Sequence, residues 1–173
     1  MATECSYQCI VFDEELDRHK KAADAVDDKI ASIKQENEKI EVWTSAITKA
    51  KDDLYYLDKQ IQSVGSDRDG LKKKHDQLDG EESDSEHQNL ADEIHALDKK
   101  IENMRDDQQA ANKKLEVQED GLKSQQSSLS SLQAELTAAI QTRDGYYDDL
   151  KKRLQLIKEK CGDYQGRDLP RNG

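Results

Sequence analysis

Three cysteines are the residues of this chain best placed for covalent chemistry. Cys5 and Cys9 are four residues apart near the N-terminus, so a helix would place both thiols on one face, and Cys161 lies near the other end. A disulfide between Cys161 and either Cys5 or Cys9 would leave the third thiol able to bond another chain. The alternative is that all three are free thiols, as expected in a reducing compartment.

A zinc site is the other chemistry that these thiols suggest. Three thiolates and the imidazole of His19 would supply four ligands of the types that zinc prefers. The spacing of these residues is not that of any common zinc module. We therefore predict no metal site and no cofactor.

The other polar residues do not predict an active site. Acidic pairs at 52–53 and 106–107 are expected on outward helix faces as solvated charge. The serines of 124–131 lie within a helical repeat, with no histidine nearby and no glycine elbow. The segment 67–70 begins like a calcium loop, but an apolar residue and three lysines follow where ligands would be needed. We therefore predict that the protein is not an enzyme.

Composition limits the elements that can position these residues. The 173 residues are 34% hydrophobic and 38% charged, whereas a typical globular domain is roughly 45 to 50% apolar. Such a chain either stays disordered or buries a narrow apolar seam on long helices. Its 27 basic and 38 acidic side chains give a net charge of −11, which argues against nucleic acid and anionic membrane surfaces as partners.

Apolar residues of the second half recur at alternating steps of four and three, which is the pattern of a coiled-coil helix. Of twenty positions in this phase, fifteen are apolar, and the phase is unbroken. These seam positions are Leu90, Ile94, Leu97, Ile101, Met104, Gln108, Ala111, Leu115, Gln118, Leu122, Gln125, Leu129, Leu132, Leu136, Ala139, Arg143, Tyr146, Leu150, Arg153 and Ile157. The pattern predicts one coiled-coil helix over 90–161.

The first half repeats the pattern with one phase slip. Two consecutive three-residue steps, from Asn37 to Ile40 and from Ile40 to Trp43, predict a stammer that overwinds the supercoil there. The seam positions of this half are Leu16, His19, Ala23, Val26, Ile30, Ile33, Asn37, Ile40, Trp43, Ile47, Ala50, Leu54, Leu57, Ile61, Val64, Arg68, Leu71, His75 and Leu78. We predict a helix over 13–78, preceded by a docking segment over 1–12, of which 5–12 is uncharged. The alternative is that 5–12 forms the first turns of the helix.

A polar segment over 79–89 contains no apolar residue and predicts an acidic turn between the two helices. Folding there gives an all-α protein, a long antiparallel coiled-coil helical hairpin. Cys5 would then meet Cys161, and Trp43 would face the small residues Gly121, Ser124, Ser127 and Ser128. The glycine-containing tail over 162–173 is predicted to be flexible.

An elongated three-helix bundle is the alternative architecture. Glycines within 65–70 and at 120–121 would mark its two turns. The hairpin is favoured because the seam keeps its phase straight through Gly121, where a turn would normally reset it.

A second apolar stripe, Ile140, Tyr147 and Leu154, runs beside the seam at seven-residue spacing. We expect this stripe to remain exposed on a two-helix hairpin and to bind another helix. The sequence therefore predicts a non-enzymatic structural or scaffold coiled-coil protein. It would self-associate or bind a helical partner as a homo- or hetero-oligomer. The alternative is a monomeric, disulfide-stapled three-helix binding module, such as an adaptor or extracellular recognition domain.

Segments that would direct the chain to a membrane are not evident. No apolar stretch approaches the roughly 20 residues of a membrane span, so we predict no membrane insertion. The N-terminus lacks the basic and apolar regions of a signal peptide, which favours the cytoplasm. Paired cysteines would instead favour a secreted protein.

Overall fold

Two long helices make up most of the computed structural model, which describes residues 2–78, 84–161 and 169–170. Helix α1 spans Ala2–Asp76 and helix α2 spans Asp84–Cys161, and no strand occurs within those ranges. The helices pack against each other as a helical hairpin. The all-α hairpin prediction is therefore confirmed.

Local sequence explains why these helices are long. The single proline is Pro170, so neither helix contains a residue that lacks a backbone donor. Lys73 and Lys74 lie in the last turn of α1, and Asp84 and Glu86 lie in the first turn of α2. Each pair has the charge that stabilises its helix end through the helix dipole.

The helices begin and end at different residues from those predicted from the sequence. Helix α1 begins at Ala2, so 1–12 is not a separate docking segment, because its inner face packs against α2 through residues such as Phe12. Helix α2 begins at Asp84 rather than at 90, and the part of the predicted turn over 79–83 lies outside the described residues. Of the predicted tail, only 169–170 is described.

The three-helix alternative is wrong. Helix α1 continues through Gly65 and Gly70, and helix α2 continues through Gly121. Each glycine costs about 1 kcal/mol relative to alanine in a helix, which a continuous apolar seam offsets.

The predicted seam is confirmed on α2. All twenty of its positions are buried or half-buried, and Ile101, Leu150 and Ile157 are the three that are buried. The others are half-buried because a seam residue in a two-helix hairpin has one neighbouring helix and leaves a flank in water.

The phase slip of α1 lies earlier than predicted. Ile30 is 51% exposed and Asn37 is also exposed, whereas Lys29 is half-buried and Glu36 is buried. The two consecutive three-residue steps therefore run from Ala23 to Val26 and from Val26 to Lys29, about four turns before the predicted stammer. A buried carboxylate at Glu36 is tolerated because Lys39 Nζ donates to its Oε2 across 3.1 Å.

Tertiary contacts divide the chain into two compact units. Unit 1 comprises Met1–Lys39 and Gln125–Gly173, and unit 2 comprises Ile40–Ser124. Among the described residues of unit 1, Phe12, Leu150 and Ile157 form a buried hydrophobic cluster, and Val26 is also buried. In unit 2 the buried hydrophobic side chains among the described residues are Ile47 and Ile101.

Neither helix offers a membrane-crossing stretch. Across the described parts of α1 and α2, no window combines the length and the low charge that a span requires.

Candidate functional site

The three cysteines lie at one end of unit 1. The Sγ atoms of Cys5 and Cys161 are at disulfide distance, and their Cα atoms are 5.8 Å apart. Cys9, one turn further along α1, is a free, half-buried thiol. The pairing of Cys161 with one of the two N-terminal cysteines is confirmed, and a bond from Cys9 to another chain stays a prediction.

A small apolar core lies directly behind this cysteine pair. Phe12, Leu150 and Ile157 are each 0% exposed, and Cys161 and Leu169 pack against them. Helix ends normally fray, so burial here fixes the terminal turns of both helices. The cysteines are thereby held close enough to bond.

Hydrogen bonds from Arg153 on α2 to two residues of α1 link the helices beside this core. Arg153 Nη2 donates to Glu15 Oε1 across 2.9 Å, and Arg153 Nη1 donates to Gln8 Oε1 across 2.8 Å. The Glu15 carboxylate raises the pKa of Arg153 above its usual value. The guanidinium therefore stays charged, and its fork geometry fixes the alignment of α1 against α2.

The stripe is half-buried, so the expectation that it is exposed is wrong. Leu154 packs against the unit 1 core, and Ile140 is also half-buried. The Tyr147 ring lies 5.7 Å from the buried ring of His19 and 4.4 Å from Lys151 Nζ. Helix α1 packs on this side of α2, as the contact of His19 with Tyr147 shows. A partner-binding role for the stripe stays a prediction.

Metal binding at the cysteine end has no support in the geometry. Pairing of Cys5 with Cys161 removes two of the four ligands of the zinc hypothesis. Within the described ranges, no group of three or more His, Cys, Asp or Glu side chains is arranged to hold an ion.

The indole of Trp43 packs against Gly121 in unit 2, as the antiparallel register predicts. A Cβ atom added at Gly121 would lie 3.2 Å from Trp43 Cη2, closer than ordinary van der Waals contact. The glycine therefore provides the space that the only tryptophan of the chain occupies.

Replacement of Gly121 by valine is expected to lower the free energy of unfolding by about 1 to 3 kcal/mol, because the added methyl groups displace the indole. Urea unfolding measures the loss, and a red shift of the Trp43 emission reports the indole moving into water. Gly70→Val is the matched control, since a Cβ there meets nothing within 4 Å. Equal stability of the two variants would contradict this role for Gly121.

One edge of unit 2 is closed by ion pairs between the helices. Lys51 binds Glu119 across 2.8 Å, Arg68 binds Asp98 across 3.1 Å, and Lys72 lies 3.9 Å from Asp98. Lys51, Lys72, Asp98 and Glu119 each directly follow a seam residue. We call this side the paired edge.

The opposite side carries six exposed polar residues that each directly precede a seam residue. This open edge comprises Asp53, Gln60 and Asp67 on α1 and Lys100, Asp107 and Lys114 on α2. None of its five charged side chains forms an ion pair with another described residue. Sequence reasoning missed this edge, although the heptad phase already places its six residues beside the seam.

Two shallow apolar grooves run along the open edge. Ala46, Ala50 and Ala111 line the first groove, and Leu57, Val64 and Met104 line the second. Open-edge residues form the rims of both. The open edge thus leaves the flank of the seam accessible to solvent between its charged residues.

Histidines cluster at the turn end of unit 2. The rings of His75 and His87 meet edge to face with centroids 4.7 Å apart, and His87 Nε2 lies 3.2 Å from the carbonyl oxygen of Leu78. A further groove lies beside them, lined by His75, Ile94 and the paired-edge residues Lys72 and Asp98, among others. These contacts tie the last turn of α1 to the start of α2.

Comparison of the chain with protein-family models, with curated proteins and with solved structures finds no match.

Proposed function

We propose that the chain is a non-enzymatic structural or scaffold protein that self-associates through the flanks of its coiled-coil helices. The observation that carries this proposal is the half-burial of the seam. Apart from Ile101, Leu150 and Ile157, the apolar seam residues of α2 keep part of their surface in water. Packing of further helices against those flanks would remove that surface from water and stabilise an assembly.

Exposed apolar side chains outside the seam also support association. A highly charged chain gains solubility from polar outer faces, yet several large apolar residues here are more than half exposed. They are Tyr7, Ile10, Ile30, Val42, Tyr55, Tyr56 and Val117. Exposed apolar surface of this kind often marks a site where another protein binds.

The mass of the protein in solution tests this proposal. Light scattering on a sizing column, with and without reductant, is expected to give a dimer or larger species whose share rises with protein concentration. The assembly is expected to persist in reductant, because the proposed contacts are between helix flanks and not between thiols.

A strict monomer at high micromolar concentration in both conditions would contradict self-association. It would instead favour a monomeric binding module stapled by Cys5 and Cys161, whose partner is a different helical protein. The cysteine pair at disulfide distance is the observation that keeps this second candidate.

A further inference from the structure

The antiparallel register orders the charges of the open edge. The contacts of Trp43 with Gly121 and of Arg68 with Asp98 fix which residues of α1 and α2 lie at the same height along the helices. At that register Asp53 is level with Lys114. The open edge therefore has an acidic side on α1 and a basic side on α2.

These charges are arranged evenly about a midpoint. Gln60 and Asp107 lie level with each other at that midpoint, seven residues from the next open-edge residue in each direction. At about 1.5 Å per residue, each outer charge is about 10 Å from the midpoint along the helices. The outer acidic residues are Asp53 and Asp67, and the outer basic residues are Lys114 and Lys100.

We propose that a second copy of this chain docks face to face on the open edge, about a two-fold axis that lies between the two copies and runs parallel to the helices. A half-turn about this axis brings the acidic side of one copy against the basic side of the other. Asp53 then faces Lys114 of the second copy, and Asp67 faces Lys100 of the second copy. By symmetry each contact occurs twice. This inference rests on the proposed self-association and assigns its surface.

The apolar groove residues that lie between the two rows of charge are related by the same two-fold axis. The half-turn places Leu57 opposite Ala111 of the second copy and Val64 opposite Met104 of the second copy. Leu57, Val64 and Met104 line the groove nearest the midpoint, and Ala111 lines the neighbouring groove. Apolar surface therefore meets apolar surface between the rows of charge, which favours a second copy over an unrelated helix.

Exchange of charges between the two sides of the edge tests this interface. The basic variant carries Asp53→Lys and Asp67→Lys, and the acidic variant carries Lys100→Asp and Lys114→Asp. Each variant places like charges opposite each other at all four outer contacts. The Kd for self-association of either variant is expected to rise on the order of 100-fold.

A mixture of the two variants is the decisive sample. In an equimolar mixture every outer contact is again between opposite charges, so a dimer with one copy of each variant is expected. Native mass spectrometry resolves that species from the two parents. Dimers of either variant alone at the wild-type Kd, or no mixed dimer, would overturn the assignment of the open edge.

A matched control separates this surface from general charge effects. Glu41→Lys with Asp52→Lys changes the net charge as the basic variant does, at exposed positions that do not belong to the open edge. This control is expected to keep the wild-type Kd, and circular dichroism checks that all variants remain helical. If the wild type dimerises and the charge variants dimerise equally well, the assignment of the open edge is wrong but self-association stands. If the wild type is monomeric, the proposed self-association itself is wrong.

Discussion

Replacement of Cys161 by serine is expected to lower the free energy of unfolding by about 5 kcal/mol under oxidising conditions. The bond to Cys5 joins residues 156 positions apart, so it restricts the unfolded chain strongly. Loss of that restriction raises the entropy of the unfolded state and favours unfolding. Urea unfolding, with and without reductant, measures the change, which is expected to be small when the wild type is already reduced.

Cys9→Ser is the control for the cross-link. This variant removes a half-buried thiol one turn away and leaves the Cys5–Cys161 pair intact. It is expected to unfold close to the wild-type midpoint in both conditions. A Cys161→Ser loss of equal size with and without reductant would show that packing of the side chain, and not the bond, stabilises this end.

Replacement of Phe12 by alanine is expected to cost about 3 to 5 kcal/mol of unfolding free energy. Phe12 is the only phenylalanine of the chain and is fully buried between Leu150 and Ile157. Its removal leaves a cavity at the point where both helix ends are held. Urea unfolding gives the loss, and amide hydrogen exchange in unit 1 is expected to accelerate.

A neighbouring residue provides the comparison for Phe12. Ile10 lies two positions earlier on α1 and is 59% exposed. Ile10→Ala is therefore expected to change stability by less than about 0.5 kcal/mol. If the two alanine variants unfolded at the same urea concentration, the cluster around Phe12 would not be the core that holds this end.

The heptad phase predicted most of this fold. It identified the seam of α2, and antiparallel folding then correctly predicted that Cys5 meets Cys161 and that Trp43 faces Gly121. Each of these predictions needed only local periodicity and one turn, which residue types record directly.

Features that depend on register between the helices were harder to predict. Ile30 is apolar and fits the predicted seam, yet it is exposed. The prediction was wrong because Ile33 fits the seam in either phase and so does not show where the slip occurs. Burial of Glu36 was missed because carboxylates are rarely buried without a partner, and its partner Lys39 lies on the same helix. Predicting the open edge requires knowing which residues of α1 and α2 lie at the same height, and the sequence of one helix alone does not contain that information.

The bond between Cys5 and Cys161 also has a mechanical consequence. It closes residues 5–161 into a covalent loop, so tension applied through the first turn of α1 and the last turn of α2 passes directly from one sulfur to the other. The helices between them bear almost none of that force. When the bond is reduced, the same pull separates the helices and releases roughly 500 Å of extended chain. Thiol chemistry at this end thus determines whether the protein behaves under load as a short rigid link or as a long extensible one.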